Sequence, residues 1–310
     1  MKPFSYNDGQ RAVQREANTV PCADKLSTWV GPVVQFATIA DLVVLASADS
    51  DGFSVVALSG PPPLLDAHEA AETIALRLPR SVLQHLPVDH PCGGIVINPA
   101  EARRSRVAGV LRDWDAAAEL TCTVAFTNCR KYMAPTASLG AATHVGPVSR
   151  STLPLTDPWV ATTIAAAETA FLVTTTPDGV GDVSHRGGVP GFLHYDSAQS
   201  RLSWTEYLGD GMFVSTGNLR KTSRFALIVL EFSSGDALRF DGTAAYENVR
   251  TDRHARVDAL LQEGEPFPVQ GRMECRIESA ERLVRFCHPR TRITERQRVH
   301  SADTIATQHP

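Results

Sequence analysis

The sequence predicts a mainly β protein with flanking helices (α+β), built as two copies of one small β-barrel. Short apolar runs recur at near-regular spacing between turn residues, and long helical periodicities are few. One local phrase also occurs twice: strand, Asp-Gly turn, strand, then glycine and proline, from Leu42 to Pro61 and again from Phe171 to Pro190. Such self-similarity is the mark of an internal duplication. A single large α+β domain with coincidental hairpins is the alternative.

The elements follow in order. Residues 8–45 begin with helical spacing: Gln10, Val13 and Ala17 share one face, and Leu26, Val34, Phe36 and Ile39 continue it. Leu42–Ser47 is a strand, Asp51-Gly52 a hairpin turn that tolerates positive φ, and Phe53–Leu58 the return strand. Pro61, Pro62 and Pro63 end it, since proline cannot donate to a ladder. Gly93–Asn98, Ser105–Leu111 and Leu120–Phe126 are further strand candidates. The second copy starts with a helix over 157–170, then Phe171–Thr176, the turn Pro177–Gly179 and the strand Val180–Ser184. Arg201–Trp204, Phe225–Phe232, Ala237–Ala245 and Arg272–Ile277 complete it, and Arg106–Gly109 and Arg239–Gly242 look like matching positions. The Gly-, Ser-, Thr- and Pro-rich stretch Ser138–Pro158 marks the boundary, giving units 1–150 and 151–310.

Bulk properties exclude several classes. The chain has 310 residues, 43% hydrophobic and 21% charged, enough to bury a core and unlike a disordered chain. A net charge of −4 does not suggest nucleic acid or a membrane surface as partner. The basic cluster Arg285, Arg290, Arg292, Arg296 and Arg298 reads as a solvated tail. No apolar run approaches the ~20 residues of a membrane helix, and Met1–Gln10 has no signal-peptide core. Cys22, Cys92, Cys122, Cys129, Cys275 and Cys287 form no Cys-x-x-Cys pair, so neither disulfides nor zinc are expected. These features together predict a cytoplasmic protein with reduced thiols.

Chemistry concentrates in two segments. Ser184-His185-Arg186-Gly187-Gly188 offers a hydroxyl, a cation with a bidentate fork and glycines that admit a close ligand. Gly211–Lys221 reads as a loop entering a helix, where Ser215, Thr216 and Asn218 stand beside free N-terminal amides, a ready anion site. Between them Trp204 can flank a flat ring or simply fill a core. Read without a ligand, the first segment is a turn and the second a capped helix start. His185 and His194 are ligand or acid–base candidates, though a lone His is more often a structural hydrogen-bonder.

Asp182–Phe192, the Trp204 strand, Gly211–Leu219 and the apolar strand Ala226–Phe232 resemble, in order and spacing, the pyridoxamine 5'-phosphate oxidase-like FMN-binding split-barrel family, in its two-part flavin-nucleotide-binding branch. Gly211 and Thr222-Ser223 depart from that pattern. Tyr6–Gly9 with Gln14, and Thr127–Tyr132, resemble first-half motifs of the same branch. The resemblance implies two tandem split β-barrels forming an intramolecular pseudo-dimer, as a monomer or a homodimer. It implies FMN as cofactor, held by Ser184, His185, Arg186, Gly187, Gly188, Trp204, Met212, Phe213, Ser215, Thr216, Asn218 and Leu219. Asn128, Lys131 and Tyr132 would reach it from the first half, with Lys131 near the pole where reduced-flavin charge collects.

The implied function is an FMN-dependent oxidoreductase of a small-molecule substrate. The sequence holds neither an iron–sulfur cysteine spacing nor a Gly-x-Gly-x-x-Gly fingerprint. Reduction would therefore come from NAD(P)H directly, from a separate reductase or from the substrate. Two other readings stay open: a haem-binding split barrel with His185, His194, His254 or His288 as axial ligand, and a non-catalytic flavin-binding protein.

Overall fold

The computed structural model describes residues 4–27, 31–70, 72–250 and 264–293. The first half carries helices α1 (Asp8–Glu16), α2 (Val20–Ser27) and α3 (Val33–Thr38) and strands β1 (Leu42–Ala48), β2 (Phe53–Ser59), β3 (Asp66–Ala70), β4 (Thr73–Pro79), β5 (His90–Asn98), β6 (Arg103–Trp114) and β7 (Ala117–Thr127). Short strands β8 (Thr136–Ser138), β9 (His144–Gly146) and β10 (Ser149–Leu153) lead into the second. There follow α4 (Pro158–Ala166), β11 (Thr169–Thr175), β12 (Gly181–Gly187), β13 (Leu193–Asp196), β14 (Arg201–Tyr207), α5 (Val214–Thr222), β15 (Arg224–Leu230), β16 (Ala237–Asn248), β17 (Val269–Val284) and β18 (Arg290–Arg292).

The duplication is real in three dimensions. The first sheet runs β3-β4-β7-β6-β5-β1-β2, with β9 added at its edge, and the second runs β13-β14-β17-β16-β15-β11-β12, with β10 on β17. Taken strand by strand, the two orders are identical, and each half is a split β-barrel. The match extends to a defect. The β6–β7 register slips between Ala108 and Gly109, and the β16–β17 register slips between Asp241 and Gly242. A Cβ on either glycine would sit about 2 Å from a neighbouring carbonyl oxygen, 1.9 Å at Gly109 and 2.1 Å at Gly242. Both bulges therefore need a residue without a side chain. This is the Arg106–Gly109 and Arg239–Gly242 correspondence expected from sequence.

Three expectations need correction. The helical stretch 8–45 is broken: α1 ends at Glu16, Asn18 takes φ 53°, and α3 opens after Gly31-Pro32, with Gly31 at φ 65°. The second helix stops at Ala166 because Ala167 is extended (ψ 137°), freeing 169–175 for β11. The basic cluster is not simply a solvated tail, because Arg290 is buried in the fold. Arg296 and Arg298 lie outside the described residues. The strands β3 and β4 gave no sequence expectation, since the edge strand β3 (Asp-Ala-His-Glu-Ala) is largely polar and exposed.

The halves meet through strands buried on both faces. All seven residues of β1 and of β11 are buried. Val43 and Leu45 point into the first half's core, whereas Leu42, Val44, Ala46 and Ala48 join a cluster with Phe171, Val173, Val183, Ala226 and Ile228 of the second. Ala170 and Leu172 turn the other way, into the second half's core. Two-sided burial is why the centres of both strands, Leu42–Ala46 and Ala170–Val173, read as unbroken apolar runs and not as alternating ones. At the tightest approach a Cβ on Gly93 would lie 1.8 Å from Gly181 O.

The chain also ties its end to its beginning. β18 pairs with β8, and Arg290 Nη2 donates to both oxygens of Asp41, at 3.0 and 2.7 Å, while its Nε donates to Thr136 Oγ1. Burial pushes the Asp41 carboxyl up and Arg290 pulls it back. Removing one partner of a buried pair strands the other charge without water. Arg290→Met should therefore lower unfolding free energy by about 3–5 kcal/mol, and adding Asp41→Asn should recover part of it. Urea denaturation measures both. A loss under about 1 kcal/mol in the single variant would show that water reaches Asp41.

Candidate functional site

A cleft opens where β12, β14 and α5 of the second half face β6 and the segment after β7 of the first. Asp182, Ser184 and Arg186 alternate along β12 with Val183 and His185, so the polar three share one face. Opposite them α5 begins with Phe213 at φ 52° and no side-chain cap, and the first backbone bond there is Gly217 N to Phe213 O. The amides of Val214, Ser215 and Thr216 thus have no intrahelical acceptor and give the cleft a positive helix end. The expected loop-into-helix is present, uncapped.

One hydrogen-bonded chain crosses the cleft. Trp204 Nε1 donates to Glu206 Oε1 (3.0 Å), which also takes Arg186 Nε (2.5 Å). Arg186 Nη1 donates to Ser184 Oγ (2.9 Å), which lies 2.7 Å from Ser215 Oγ. Ser215 Oγ donates to Asp182 Oδ2 (2.8 Å) and accepts from Arg106 Nη2 (3.3 Å), a cation from the first half. The guanidinium of Arg186 and the hydroxyl of Ser215 therefore converge through Ser184, as the sequence argument requires. Among the described residues neither Arg186 Nη2 nor Arg106 Nη1 has an acceptor.

The first half closes the far wall. Arg104 Nε donates to Cys129 O, and its Nη1 lies 2.9 Å from His185 Nδ1. Arginine can only donate, so His185 Nδ1 accepts and its proton sits on Nε2. Burial first, then Arg104 and Arg186, hold the His185 imidazole well below its ordinary value. Asn128 Nδ2 donates to Asp210 Oδ2, and Tyr132 OH donates to Leu208 O. Tyr132 packs tilted against Tyr207 and Phe267 at centroid distances of 5.4 and 4.8 Å, and burial raises its phenol to about 12.

Of the residues expected here, Asn128, Tyr132, Ser184, His185, Arg186, Gly187, Trp204, Met212, Phe213, Ser215 and Thr216 line the cleft. Four others do not. Asn218 is fully buried, and its amide is committed to Asn7, Gln10 and Thr174. Leu219 packs in the second core. Gly188 turns the chain beneath Phe192, and Lys131 is exposed with Nζ on Leu208 O. Sequence reading missed Arg104, Arg106, Glu206 and Asp210. Arg106 alone left a signal, through its match to Arg239. The acids matter because Asp182, Glu206 and Asp210 balance Arg104, Arg106 and Arg186, so the positive end of α5 and the open Arg186 Nη2 carry the preference for an anion.

Of the three described histidines among those considered as haem ligands, only His185 lines the cleft. His194 is exposed on β13, and His288 bonds Ala142 O beside His144. His254 lies outside the described residues. Among the described residues no group of His, Cys, Asp and Glu is arranged to hold a metal ion, and no helix is long and apolar enough to cross a membrane.

No family model and no curated protein matches the chain. Solved structures do. HupZ of Group A Streptococcus is similar at 13% identity over 41% of this chain and 98% of its own, with a TM-score of 0.31. A Clostridium acetobutylicum protein related to general stress protein 26, of the pyridoxinephosphate oxidase family, is similar at 12% identity over 43% and 91%, with a TM-score of 0.28. HutZ, the haem storage protein of Vibrio cholerae, is similar at 14% identity over 40% and 92%, again with 0.28.

The buried His185 fixes a pH dependence. Its folded value is depressed, so the unfolded chain binds a proton that the folded protein refuses. The stabilisation is complete above about pH 6.5 and is lost as pH falls from there toward the depressed value. Stability should fall by up to about 1.4 kcal/mol per pH unit in that window, and His185→Gln should flatten the slope. Unfolding midpoints between pH 7.5 and 5 test this. Equal slopes in both proteins would place the lost proton elsewhere.

Proposed function

We propose that the protein is an FMN-dependent oxidoreductase acting on an unidentified small molecule. The observation that carries this reading is the meeting of an uncapped helix end, two serines and two arginines at one end of a cleft that Tyr132, Trp204 and Tyr207 also line. A phosphate monoester offers three strong acceptor oxygens. The cleft offers the amides of Val214, Ser215 and Thr216 and the open Arg186 Nη2, so the donor set fits. Trp204, Tyr207 and Tyr132 supply the apolar faces that a flat ring system needs.

Bound flavin would supply the electron transfer. The chain's own residues would bind and tune it. Arg186, Ser184 and Ser215 are already held in place by Glu206 and Asp182, so little ordering is required when an anion arrives. His185, neutral with Nδ1 engaged, would act as a hydrogen-bond donor through Nε2 and not as an acid. Arg104, Arg106, Asn128 and Tyr132 come from the first half, which therefore takes the part a second subunit would play. We take units 1–150 and 151–310 as the two partners, a monomeric chain as the functional form, and NAD(P)H or a separate reductase as electron source. A haem reading is less favoured, because Arg104 occupies the Nδ1 of the one described candidate histidine in the cleft.

The purified protein should show flavin absorbance, and the released chromophore should be FMN. Arg186→Ala with Ser215→Ala should weaken FMN binding roughly ten- to a hundred-fold, as the loss of one charge-assisted contact of about 1.5–3 kcal/mol predicts. Riboflavin, which lacks the phosphate, should bind both proteins alike. FMN affinity unchanged in the double variant would remove the site, and a Soret band would favour haem. Bound flavin that neither NAD(P)H nor a small-molecule panel reduces would favour a storage role.

A further inference from the structure

A second cavity adjoins the cleft, and its walls are of a different kind. It holds about 350 Å³, against about 140 Å³ for the cleft itself. It lies between the outer face of β6 and β7, the N-terminal residues 4–7 and the turn before β12. Arg106, Asp182 and Val214 belong to both walls. It is independent of the flavin reading.

The outer face of an antiparallel sheet is ordinarily polar. Here Ala108 and Val124 face each other across β6 and β7, and Arg106 faces Phe126, with the guanidinium 5.9 Å from the ring centre. Val107 and Ala125, between them, point into the first core. Phe4 stands edge-on to Tyr6 at 4.6 Å and to Phe126 at 5.6 Å, so three rings gather over this face. They leave the cavity in place of filling it.

The duplicated half gives an internal control. Registers equate Arg106 with Arg239, since Val44–Ile95–Arg106 and Phe171–Ile228–Arg239 are successive cross-strand neighbours. The partners of Arg239 and of its neighbour Asp241 are Glu281 and Ser279, where the first half has Phe126 and Val124. In the second half, then, the same face is charged: Asp241 takes two bonds from Arg239, and Glu281 lies 4.0 Å away. Where the second half has Asp241, Ser279 and Glu281, the first has Ala108, Val124 and Phe126. The two faces differ in character where the cavity is, around an arginine common to both halves.

That arginine sets the polar requirement. Arg106 Nε lies 3.3 Å from Asp182 Oδ1 without the alignment of a hydrogen bond, Nη2 reaches Ser215, and Nη1 has no acceptor among the described residues. Its charge is matched by Asp182, and Asp178 stands at the exposed rim. An added anion would meet these two carboxylates. A neutral acceptor would meet the open Arg106 Nη1 and three rings.

We propose that this cavity binds a small, uncharged, planar aromatic molecule bearing one hydrogen-bond acceptor such as a carbonyl oxygen. The ring lies among Phe4, Tyr6, Phe126 and Val124, and the acceptor takes the Arg106 guanidinium. Benzamide is a suitable probe, with benzoate as its charged counterpart and cyclohexanecarboxamide as its non-planar one. Protein-observed and ligand-observed NMR on the full chain should show saturable benzamide binding, with contacts from its ring protons to the Val124 methyls and the Tyr6 ring. Benzoate and cyclohexanecarboxamide should bind at least ten-fold more weakly. Val124→Trp and, separately, Ala108→Leu should fill the space and abolish binding while leaving FMN affinity and thermal stability near those of the parent. Either filled variant that folds suffices. No benzamide binding by the parent protein, tighter binding of benzoate, or binding undiminished in a folded filled variant would each overturn the proposal. None of these results bears on whether the neighbouring cleft holds FMN.

Discussion

Everything in this molecule depends on two strands being covered on both sides. A sheet with one wet face could stand alone as a half, but β1 and β11 have none, since Leu42, Val44 and Ala46 of one and Phe171 and Val173 of the other are buried in one cluster that both halves build. Exposing that cluster would cost about 25 cal/mol for each Å² returned to water. The glycines 93 and 181 let the backbones approach to a distance that no side chain would permit. The docking is thus rigid in distance and in register. The cleft inherits that rigidity, because its two walls come from different halves.

Rigidity is what makes a balanced set of charges useful. Three arginines and three acids in one cleft would, if mobile, simply pair off. Here Glu206 holds Arg186 through Nε and Trp204 holds Glu206, which leaves the outer nitrogen of the guanidinium aimed by its neighbours. Asp182 does the same for Ser215 and is itself held by Thr174. Each acid acts as a positioning group whose cost in attraction is offset by fixed geometry.

These relations were unevenly legible in the sequence. The duplicated hairpins showed because a strand buried on both faces is a continuous apolar run, and because Asp-Gly turns have few other uses. The Ser184–Arg186 and Gly211–Leu219 segments showed because hydroxyls and glycines cluster in and beside both, with a cation in the first. Asn218 misled for a physical reason: an amide beside hydroxyls at a helix start looks like a ligand donor, yet it lies one turn in and faces α1. Arg290 misled because a charge in a basic run reads as solvated until its partner, Asp41, is found 249 positions away. Long-range pairs leave no local trace. Arg104, Arg106, Glu206 and Asp210 were hidden likewise, since each becomes part of a site only through the docking of the halves.

The duplication also shows how two equal halves came to differ. Registers equate Leu172 with Leu45 and Ala170 with Val43, and therefore Ser184 with Val56 and Arg186 with Leu58. Val56 and Leu58 are fully buried in the first core, among Val33, Ala37 and Leu76. Where the second half places α5, the first has only the 3-10 turn Arg80–Gln84 between its β4 and β5. A guanidinium at Leu58 would be desolvated with no acceptor, so the apolar core and the polar cleft are mutually exclusive versions of one barrel end. The second half carries the polar version, open to the cleft at that end. The first half keeps the apolar one, and its packing supplies the stable surface against which the polar version is held. The asymmetry divides stability and binding between two copies of one fold, and neither task then has to compromise the other.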